Sequence, residues 1–201
     1  MKLRDFSYTL PEELIAQHPR PQRDSSRMLM LDRQTRTIKD SQFSELPAVL
    51  ERGDVLVINE SRVLPARIYG KKSTGAILEI LLLHCKKKTE DAQVWEVMAR
   101  PGKRLTENDR IDLGHSAEAK VIARLSDKNW LMSFFSPDGF DRYLEQFGRA
   151  PLPPYIKRKK SVGHDPTDDR ERYQTIYARI PGSIAAPTAG LHFSPRILAE
   201  L

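Results

Sequence analysis

The sequence lacks the features by which several classes of protein are recognised. It has one cysteine in 201 residues, so no disulfide can form within the chain. Cys and His do not occur in the paired spacings of zinc sites. No apolar run approaches the roughly 20 residues of a membrane-spanning helix, and residues 1–14 contain no apolar segment typical of a signal peptide. These absences favour a protein of the reducing cytoplasm.

The motifs of three common enzyme classes are also missing. The 10 glycines of the chain form no G-x-S-x-G nucleophile elbow, no Walker A phosphate loop and no G-x-G-x-x-G dinucleotide fingerprint. A serine hydrolase, a P-loop enzyme and a Rossmann methyltransferase therefore have no support from the sequence.

Charged residues are abundant, at 30% of the chain, and a long gap between them is informative. The formal net charge of +6 permits binding to a polyanion without establishing it. From Ile180 to Pro195 there is no Asp, Glu, Lys or Arg. This charge-free stretch holds one imidazole, His192, among small and apolar residues. It is either core packing that contains a histidine or the wall of a site.

The N-terminal third shows mixed patterns. Local signals predict a short helix over residues 8–19 and a hairpin over residues 27–40, with an apolar first strand at residues 28–31. A helix is predicted over residues 40–53. The apolar run at residues 54–59 predicts a strand that is buried on both faces.

The middle of the chain has a different texture. Six short β-branched runs follow one another between Arg67 and Phe135, separated by turn residues, which predicts a compact antiparallel barrel or sandwich. After it, residues 136–148 predict a closing helix, and residues 150–166 predict a proline-rich and basic irregular stretch. Two further helices are predicted at residues 165–178 and 195–201.

Three polar clusters could bind ligands, and the alternative for each is a turn or loop whose charges are solvated. Asn59–Arg62 lie at the carboxyl end of the predicted strand, after residues 54–58, at the position where α/β proteins bind ligands. Arg20, Arg23 and Arg27 could clamp a phosphate or a carboxylate. The basic run at residues 157–160 follows a tyrosine, and charge combined with stacking is what an unpaired nucleotide needs.

Six of these segments together resemble one family, the S-adenosylmethionine:tRNA ribosyltransferase-isomerases of bacterial queuosine synthesis. In order, they are FSYTLPEELIAQHP, RDSSRMLMLDR, GDVLVINESRVLPARIYG, PLPPYI, RYQTIYA and GSIAAPTAGLHFS. Two mild departures occur, at the acid of NESR and at Ser194, where Thr is commoner. The family extends well beyond residue 201, so the resemblance implies a chain that is truncated at its C-terminus.

The resemblance implies a fold of two parts. An α/β (α+β) catalytic domain, discontinuous in sequence, is expected from residues 1–66 and 149–201 and would be incomplete at its C-terminus. An antiparallel β-barrel domain is expected as an insertion at residues 67–148. The six strand-like runs between Arg67 and Phe135 agree with this expectation independently.

The resemblance also implies a reaction. The ribosyl part of S-adenosylmethionine would move onto the aminomethyl group of 7-aminomethyl-7-deazaguanine at the tRNA wobble position and rearrange to epoxyqueuosine, with release of adenine and methionine. S-adenosylmethionine would be the co-substrate and tRNA the partner, with no metal, no membrane and a monomeric chain. A non-enzymatic RNA-binding module, or an inactive truncated copy, is the alternative.

Such chemistry needs acid–base groups in a dry pocket, because a carbon-bound proton leaves the sugar and adenine must be protonated. His192 is the one side chain of the charge-free stretch that exchanges a proton near neutral pH. We therefore expect it to be the base or acid, with Thr188 binding the ribose or orienting the imidazole. Arg62 or Arg67 would hold the methionine carboxylate, and Tyr155 or Tyr173 would stack on a base.

The complete expectation for the site has three groups of residues. The predicted catalytic residues are His192 and Thr188. The predicted substrate-binding residues are Asn59, Arg62, Arg67, Tyr155, Arg172, Tyr173, Gln174, Ala186, Pro187, Gly190 and Phe193. The predicted tRNA-binding residues are Lys157, Arg158, Lys159 and Lys160.

Overall fold

The computed structural model describes residues 2–89, 92–102, 105–158 and 167–201. Strands account for most of the regular structure. The described residues form the strands β1 (Arg27–Asp32), β2 (Thr37–Gln42), β3 (Ser61–Val63), β4 (Arg67–Lys72), β5 (Ile77–Lys88), β6 (Ala92–Arg100), β7 (Arg110–Gly114), β8 (Ala117–Arg124), β9 (Asn129–Phe135) and β10 (Ile180–Ser183).

Helices are few and short. The described α-helices are α1 (Phe140–Phe147), α2 (Thr167–Arg172) and α3 (Pro195–Glu200). Short 3-10 helices occur among the described residues at Leu3–Phe6, Glu12–Leu14, Arg23–Ser25, Phe43–Ala48 and Thr188–His192. No helix of the described residues is long and apolar enough to cross a membrane.

Strands β4 to β9 close into a barrel in the order β4-β5-β6-β9-β8-β7, with every neighbouring pair antiparallel. In β6 every second residue from Gln93 to Ala99 is buried, as expected when one face of a strand points into a barrel. The interior is filled by large apolar side chains such as Ile80, Val97 and Phe134. The predicted barrel is confirmed, and each of the six predicted runs supplies one strand.

Glycine is needed where this barrel closes. Strands β4 and β7 share a short ladder, in which Lys71 pairs with Asp112 and Lys72 with Ile111. A Cβ atom on Gly70 would collide with the side chain of Ile111 and lie 2.8 Å from Leu113 Cδ2. The absence of a side chain at Gly70 therefore allows β4 and β7, the two strands that close the barrel, to approach each other.

Helix α1 covers one end of the barrel, as the sequence predicted for a closing helix. The ring of Phe140 stacks on Phe134 with centroids 4.6 Å apart. The Tyr143 hydroxyl donates a hydrogen bond to the carbonyl of Leu113 (2.8 Å), and burial raises the pKa of Tyr143 to about 12.

Outside the barrel, β1 and β2 form an antiparallel hairpin, and β3 pairs with β10 in parallel. Helix α3 begins as its sequence predicts, because Ser194 Oγ accepts a hydrogen bond from the Ile197 amide (3.3 Å) and Pro195 occupies the first turn. A parallel pair built from distant segments, with a barrel inserted between them, confirms the predicted fold class. The domain boundaries after residues 66 and 148 remain a prediction.

Three predictions for the N-terminal third are wrong. Residues 54–59 form no strand, and Val55 and Val57 are 86% and 88% exposed. The helix predicted over residues 8–19 is reduced to the 3-10 turn Glu12–Leu14. The helix predicted over residues 40–53 is reduced to the 3-10 turn Phe43–Ala48, which contains a proline.

These corrections share a physical cause. None of residues 2–62 is buried. Although Phe43 packs on Phe193, apolar side chains such as Val55 and Val57 gain too little burial among the described residues to stabilise a helix or strand. The first hairpin strand is likewise exposed at Leu29 (64%) and Leu31 (62%) rather than buried. The hairpin itself is confirmed.

The helix predicted over residues 165–178 ends at Arg172 within the described residues. Its continuation is replaced by a tertiary contact, since the Gln174 side chain pairs with the backbone of Val63. Gln174 Nε2 donates to the Val63 carbonyl (2.6 Å), and Gln174 Oε1 accepts from the Val63 amide (3.0 Å). This contact extends the edge of β3 and competes with a longer helix.

Candidate functional site

Two cavities lie where α2, β3 and the charge-free stretch meet, and Tyr173 is part of the wall of both. The smaller, of about 240 Å³, is called the tyrosine cavity here. Its walls include His18, Leu152, Tyr155, Arg172, Tyr173, Thr188 and Leu191. Four residues predicted for the site from three separate motifs, Tyr155, Arg172, Tyr173 and Thr188, are thus brought together.

The larger cavity, of about 770 Å³, is called the arginine cleft. Its walls include Arg23, Arg62, Glu145, Arg170, Tyr173 and Gln174. Arg170 Nη1 donates to the Glu145 carbonyl (2.7 Å). Arg62 is exposed and makes no hydrogen bond or ion pair with the described residues, so its guanidinium is the one in this cleft that is available to a ligand.

Tyr173 sits half-buried between the two cavities. Burial raises the pKa of Tyr173, and the nearby Tyr155 phenol adds to this, while the backbone at Ala186 opposes it. The phenol therefore keeps its proton over the physiological range and acts as a flat surface and a hydrogen-bonding group. The contact with Ala186 ties this tyrosine to the charge-free stretch.

A buried ion pair supports the tyrosine cavity. Arg158 Nε and Nη2 donate to the two carboxylate oxygens of Asp169 (2.7 and 2.8 Å), and Arg158 Nη1 donates to the Gln17 carbonyl (2.7 Å). A two-pronged arginine–carboxylate contact is both strong and directional. It joins Arg158 and Asp169, which are 11 positions apart, to Gln17, which is 141 positions from Arg158.

Arg23 and Arg172 form a reciprocal contact between two segments. Arg23 donates to the carbonyls of Glu171 (3.1 Å), Arg172 (3.4 Å) and Leu191 (3.0 Å). Arg172 donates in return to the carbonyls of Arg20 and Pro21. Burial lowers the pKa of Arg23, and repulsion from Arg172 adds to this effect. Both guanidiniums are thus engaged in holding the fold, although Arg172 still lines the tyrosine cavity.

The other predicted residues near β3 and β4 also contact protein groups. Arg67 Nη2 donates to the Leu152 carbonyl (2.7 Å), and Arg67 Nε lies 3.3 Å from Glu79 Oε1. Asn59 is exposed, and its side-chain oxygen accepts from the Ser61 amide (2.8 Å) in a local turn. Arg67 therefore supports the Leu152 wall of the tyrosine cavity, whereas Asn59 lines neither cavity.

The charge-free stretch is partly core and partly wall. Ala186 and Phe193 are buried, at 8% and 7% exposure. A Cβ on Gly190 would lie 2.5 Å from the Tyr177 hydroxyl. The space beside this glycine is therefore occupied by Tyr177 and is not empty. Pro187 is half-buried, and its carbonyl accepts a hydrogen bond from Gly190 (2.8 Å). Thr188 is exposed at the cavity.

His192 lies beside the tyrosine cavity rather than in its wall. Its ring packs on Phe43 with centroids 5.4 Å apart, and Phe193 packs on the same phenylalanine. The preceding residue, Leu191, does line the cavity. Of the two predicted catalytic residues, the structure thus places Thr188 at the cavity and His192 at its margin.

Two residues of the basic run predicted to bind tRNA, Lys157 and Arg158, belong to the described residues. Lys157 Nζ lies 2.6 Å from Glu12 Oε2 in an exposed ion pair, and Arg158 is held by Asp169 as described above. Lys159 and Lys160 lie outside the described residues. The described residues contain no cluster of three or more His, Cys, Asp or Glu side chains that could hold a metal ion.

A family model described as queuosine biosynthesis protein matches residues 3–201. The match covers nearly the whole sequence. The chain belongs to the queuosine biosynthesis protein family.

Curated members of this family are similar to this protein along its entire given sequence. The identity is 44% to a protein of Syntrophus aciditrophicus, 44% to one of Halothermothrix orenii and 46% to one of Desulfitobacterium hafniense. Each is named S-adenosylmethionine:tRNA ribosyltransferase-isomerase, and each alignment covers 100% of this chain. The chain spans 60%, 56% and 56% of the length of these three relatives, respectively.

A solved structure is also similar to this member of the queuosine family. It is a crystal structure of S-adenosylmethionine tRNA ribosyltransferase from Thermotoga maritima, at 35% sequence identity and a TM-score of 0.36. The similarity covers 76% of this chain and 52% of the crystallised one.

Sequence reasoning missed some residues that build the tyrosine cavity in this queuosine family protein. His18, Gln17 and Asp169 all belong to its wall. A signal was present for His18, because it precedes Pro19 in one of the segments that carried the resemblance. Asp169 had no comparable signal, since a buried acid within an acidic first helical turn looks the same in sequence as a solvated one.

Proposed function

We propose that this chain acts in the transfer of the ribosyl moiety of S-adenosylmethionine to 7-aminomethyl-7-deazaguanine at the wobble position of tRNA. Epoxyqueuosine forms in the tRNA, and adenine and methionine are released. Membership of the queuosine biosynthesis family and the names of the curated relatives support this reaction. The observation that carries it is the gathering of Tyr155, Arg172, Tyr173 and Thr188 around one cavity.

In this proposal the tyrosine cavity receives the adenosine part of S-adenosylmethionine. Tyr155 and Tyr173 supply aromatic surface for the purine, and aromatic faces stack on any base. Thr188 supplies a hydroxyl for the ribose. A volume of about 240 Å³ is below the range of drug-sized pockets, about 300–1,000 Å³, and suits a nucleoside rather than a nucleotide of tRNA.

The arginine cleft, which shares Tyr173, receives the charged methionine end of the same molecule. Arg62 is the guanidinium here without a partner among the described residues, whereas Arg67 is engaged by Leu152 and Glu79. We therefore assign the methionine carboxylate to Arg62, since a guanidinium binds a carboxylate through two hydrogen bonds. The larger volume of this cleft, about 770 Å³, leaves room for the base of the tRNA.

An acid–base role for His192, with Thr188 binding the ribose or orienting the imidazole, remains part of the proposal. His192 directly follows the wall residue Leu191, and its ring packs on Phe43 beside the cavity. The test is His192→Gln in single-turnover adenine release, for which a loss of about 10²–10⁴-fold is expected from an acid–base group. A rate within about threefold of wild type would remove His192 from the mechanism.

The tRNA is proposed to contact the basic run at residues 157–160. The pair between Lys157 and Glu12 is exposed, at 68% and 80% of the two side chains, so a phosphate can take the place of the carboxylate. Neutralising Lys157 should weaken tRNA binding and make its salt dependence shallower, because fewer counterions are released. An unchanged salt slope would contradict this role.

S-adenosylmethionine is proposed as the co-substrate, with the substrate's sulfonium supplying the positive charge that a metal supplies in related carbanion chemistry. The chain is proposed to act as a monomer. The decisive experiment incubates it with S-adenosylmethionine and precursor tRNA and quantifies free adenine by chromatography. Adenine that appears only when both substrates are present supports the proposal, and tRNA binding without adenine supports a non-enzymatic RNA-binding module instead.

A further inference from the structure

His18 is a member of the tyrosine cavity wall for which no role has yet been assigned. It is exposed, and its imidazole makes no hydrogen bond or ion pair with the described residues. The charged side chains of the same wall are engaged, since Arg158 and Asp169 bind each other and Arg172 binds backbone carbonyls. His18 is thus the imidazole of this described wall that is not engaged by another protein group, and imidazole is the side chain most often used for general acid–base catalysis.

The backbone on the N-terminal side of His18 is held in place by hydrogen bonds to a distant segment. The Gln17 amide group donates to the carbonyls of Ile15 and Tyr155 (both 3.1 Å), and its oxygen accepts from the Lys157 amide (2.7 Å). The Gln17 carbonyl accepts from Arg158 (2.7 Å), which is fixed by Asp169. The residue directly before His18 therefore makes four hydrogen bonds.

Proline fixes the other side of His18. Pro19 lines the same cavity, its ring locks its own φ angle, and it restricts the preceding residue to extended conformations. His18 is therefore presented at the cavity by a braced segment, even though residues 8–19 form little regular structure. A braced group is what acid–base chemistry requires, because a proton is transferred only within hydrogen-bonding reach.

His192 has a different environment. Its ring packs on Phe43, and it lines neither the tyrosine cavity nor the arginine cleft. The imidazole of His18 therefore faces a ligand cavity without a protein partner among the described residues, whereas that of His192 packs on an aromatic ring. This difference favours His18 as the group that contacts a bound purine.

We propose that His18 is the proton donor to the adenine that leaves S-adenosylmethionine in the tyrosine cavity; this rests on the function proposed above. The bond between the ribosyl carbon and the adenine nitrogen breaks, and its electron pair goes to the purine. The imidazolium proton of His18 moves to the same purine. The aminomethyl nitrogen of the second substrate supplies the electron pair of the new bond to the ribosyl carbon and loses a proton to solvent.

The test compares His18→Asn and His18→Ala with wild type and with His84→Asn, a matched control at an exposed histidine of the barrel strand β5. Titration calorimetry with S-adenosylhomocysteine measures ligand binding, and single-turnover assays with precursor tRNA measure adenine release. We expect His18→Asn to bind within about threefold of wild type and to release adenine about 10²–10⁴-fold more slowly. Added imidazole should restore part of the rate to His18→Ala, which a merely structural role would not predict.

Each other outcome overturns the assignment in a distinguishable way. Adenine release by His18→Asn within about threefold of wild type, with the control unchanged, shows that His18 is not the donor. Loss of S-adenosylhomocysteine binding in His18→Asn, with unchanged circular dichroism, makes His18 a binding residue instead. Absence of adenine release by the wild-type chain refutes the proposed function, and the assignment falls with it.

Discussion

The barrel and the N-terminal sixty residues differ in how their apolar side chains are used. The barrel encloses a continuous core in which Ile68, Leu78, Ile80 and Leu82 have 0–1% exposure. Residues 2–62 have no buried side chain, and apolar residues such as Val55 and Val57 are almost fully exposed. The barrel is thus stabilised mainly by apolar burial within one stretch of sequence, whereas the N-terminal segment depends on other contacts.

Those contacts are polar and connect residues far apart in sequence. Arg23 bonds to the carbonyl of Leu191, 168 positions away, and Arg158 bonds to that of Gln17, 141 positions away. The tyrosine cavity is therefore built by arginine hydrogen bonds that position backbone, beside a barrel built by packing. Both tryptophans of the chain, Trp95 and Trp130, lie in the barrel core, so tryptophan fluorescence reports on the barrel alone.

The largest effect is expected in the barrel core. Phe134→Ala removes a fully buried ring that stacks on Phe140 and should lower the free energy of unfolding by about 3–5 kcal/mol. Urea unfolding followed by tryptophan fluorescence measures it. Ile122→Ala, on the exposed face of β8 at 41% exposure, is the control and should change the free energy by less than about 1 kcal/mol. Equal effects would refute the assignment of the barrel interior.

A smaller effect is expected at the ion pair beneath the tyrosine cavity. Asp169→Asn removes the carboxylate that faces the partly buried Arg158 and should destabilise this region by about 2–3 kcal/mol, less than for a fully buried pair because the Arg158 side chain is 25% exposed. Hydrogen exchange should speed up at residues 12–19, while the tryptophan transition stays unchanged. Asp168→Asn, at the neighbouring exposed acid, serves as the control. A shift in the barrel transition would contradict the separation of the two regions.

Arg23→Lys tests the reciprocal arginine contact. A lysine cannot reach three carbonyls in a fixed fork, so we expect a loss of about 1–2 kcal/mol in the local stability of residues 188–192. Hydrogen exchange by mass spectrometry measures it, with Arg20→Lys as the control because the Arg20 side chain is exposed. Indistinguishable exchange in the two variants would show that the three carbonyl contacts contribute nothing.

The smallest effect is a pH dependence at α3. The hydrogen bond from Ser194, with the nearby Arg196, lowers the pKa of Asp24. A carboxyl group whose pKa is lowered in the folded state contributes stability at every pH above its ordinary pKa of about 4. That stability is lost as the pH falls through the lowered pKa. Exchange at the α3 amides should therefore accelerate, relative to intrinsic rates, below about pH 4.

Asp24→Asn is the matched test of that dependence. The variant keeps a side chain of similar shape but cannot ionise, so its α3 amides should show no such acceleration. A pH profile identical to that of wild type would assign the effect to other groups. The barrel, whose tryptophan signal is recorded in the same samples, should respond in the same way in both proteins.

Sequence patterns predicted the barrel well because its signal is local. Alternation with period two, as in β6 and β9, is visible in a few residues and is confirmed by alternating burial. The Ser194 cap and Pro195 predicted α3 for the same reason. The N-terminal elements could not be predicted in this way, because an apolar run such as residues 54–59 forms a strand only when a neighbouring strand pairs with it.

The candidate site was predictable in outline and not in detail. Tyr155, Tyr173 and Thr188 were singled out from motifs, and they do line one cavity. Arg67, Arg158 and Gln174 were expected to bind ligands or tRNA, yet each bonds to a protein group. A sequence shows that an arginine is present, but whether its donors meet a carbonyl or face a cavity depends on residues elsewhere in the chain, such as Leu152 for Arg67 and Gln17 for Arg158.

The amino-acid sequence by itself determined the barrel, the capped helix α3 and the absence of charge from the stretch that ends at Pro195, because each depends on neighbouring residues. Only the tertiary structure decided that His18, rather than His192, lies in the wall of the tyrosine cavity. The physical reason is that Gln17, Arg158 and Asp169 brace the backbone before His18 through contacts across more than 130 positions. The packing of His192 on Phe43 was likewise set by a segment that is distant in sequence.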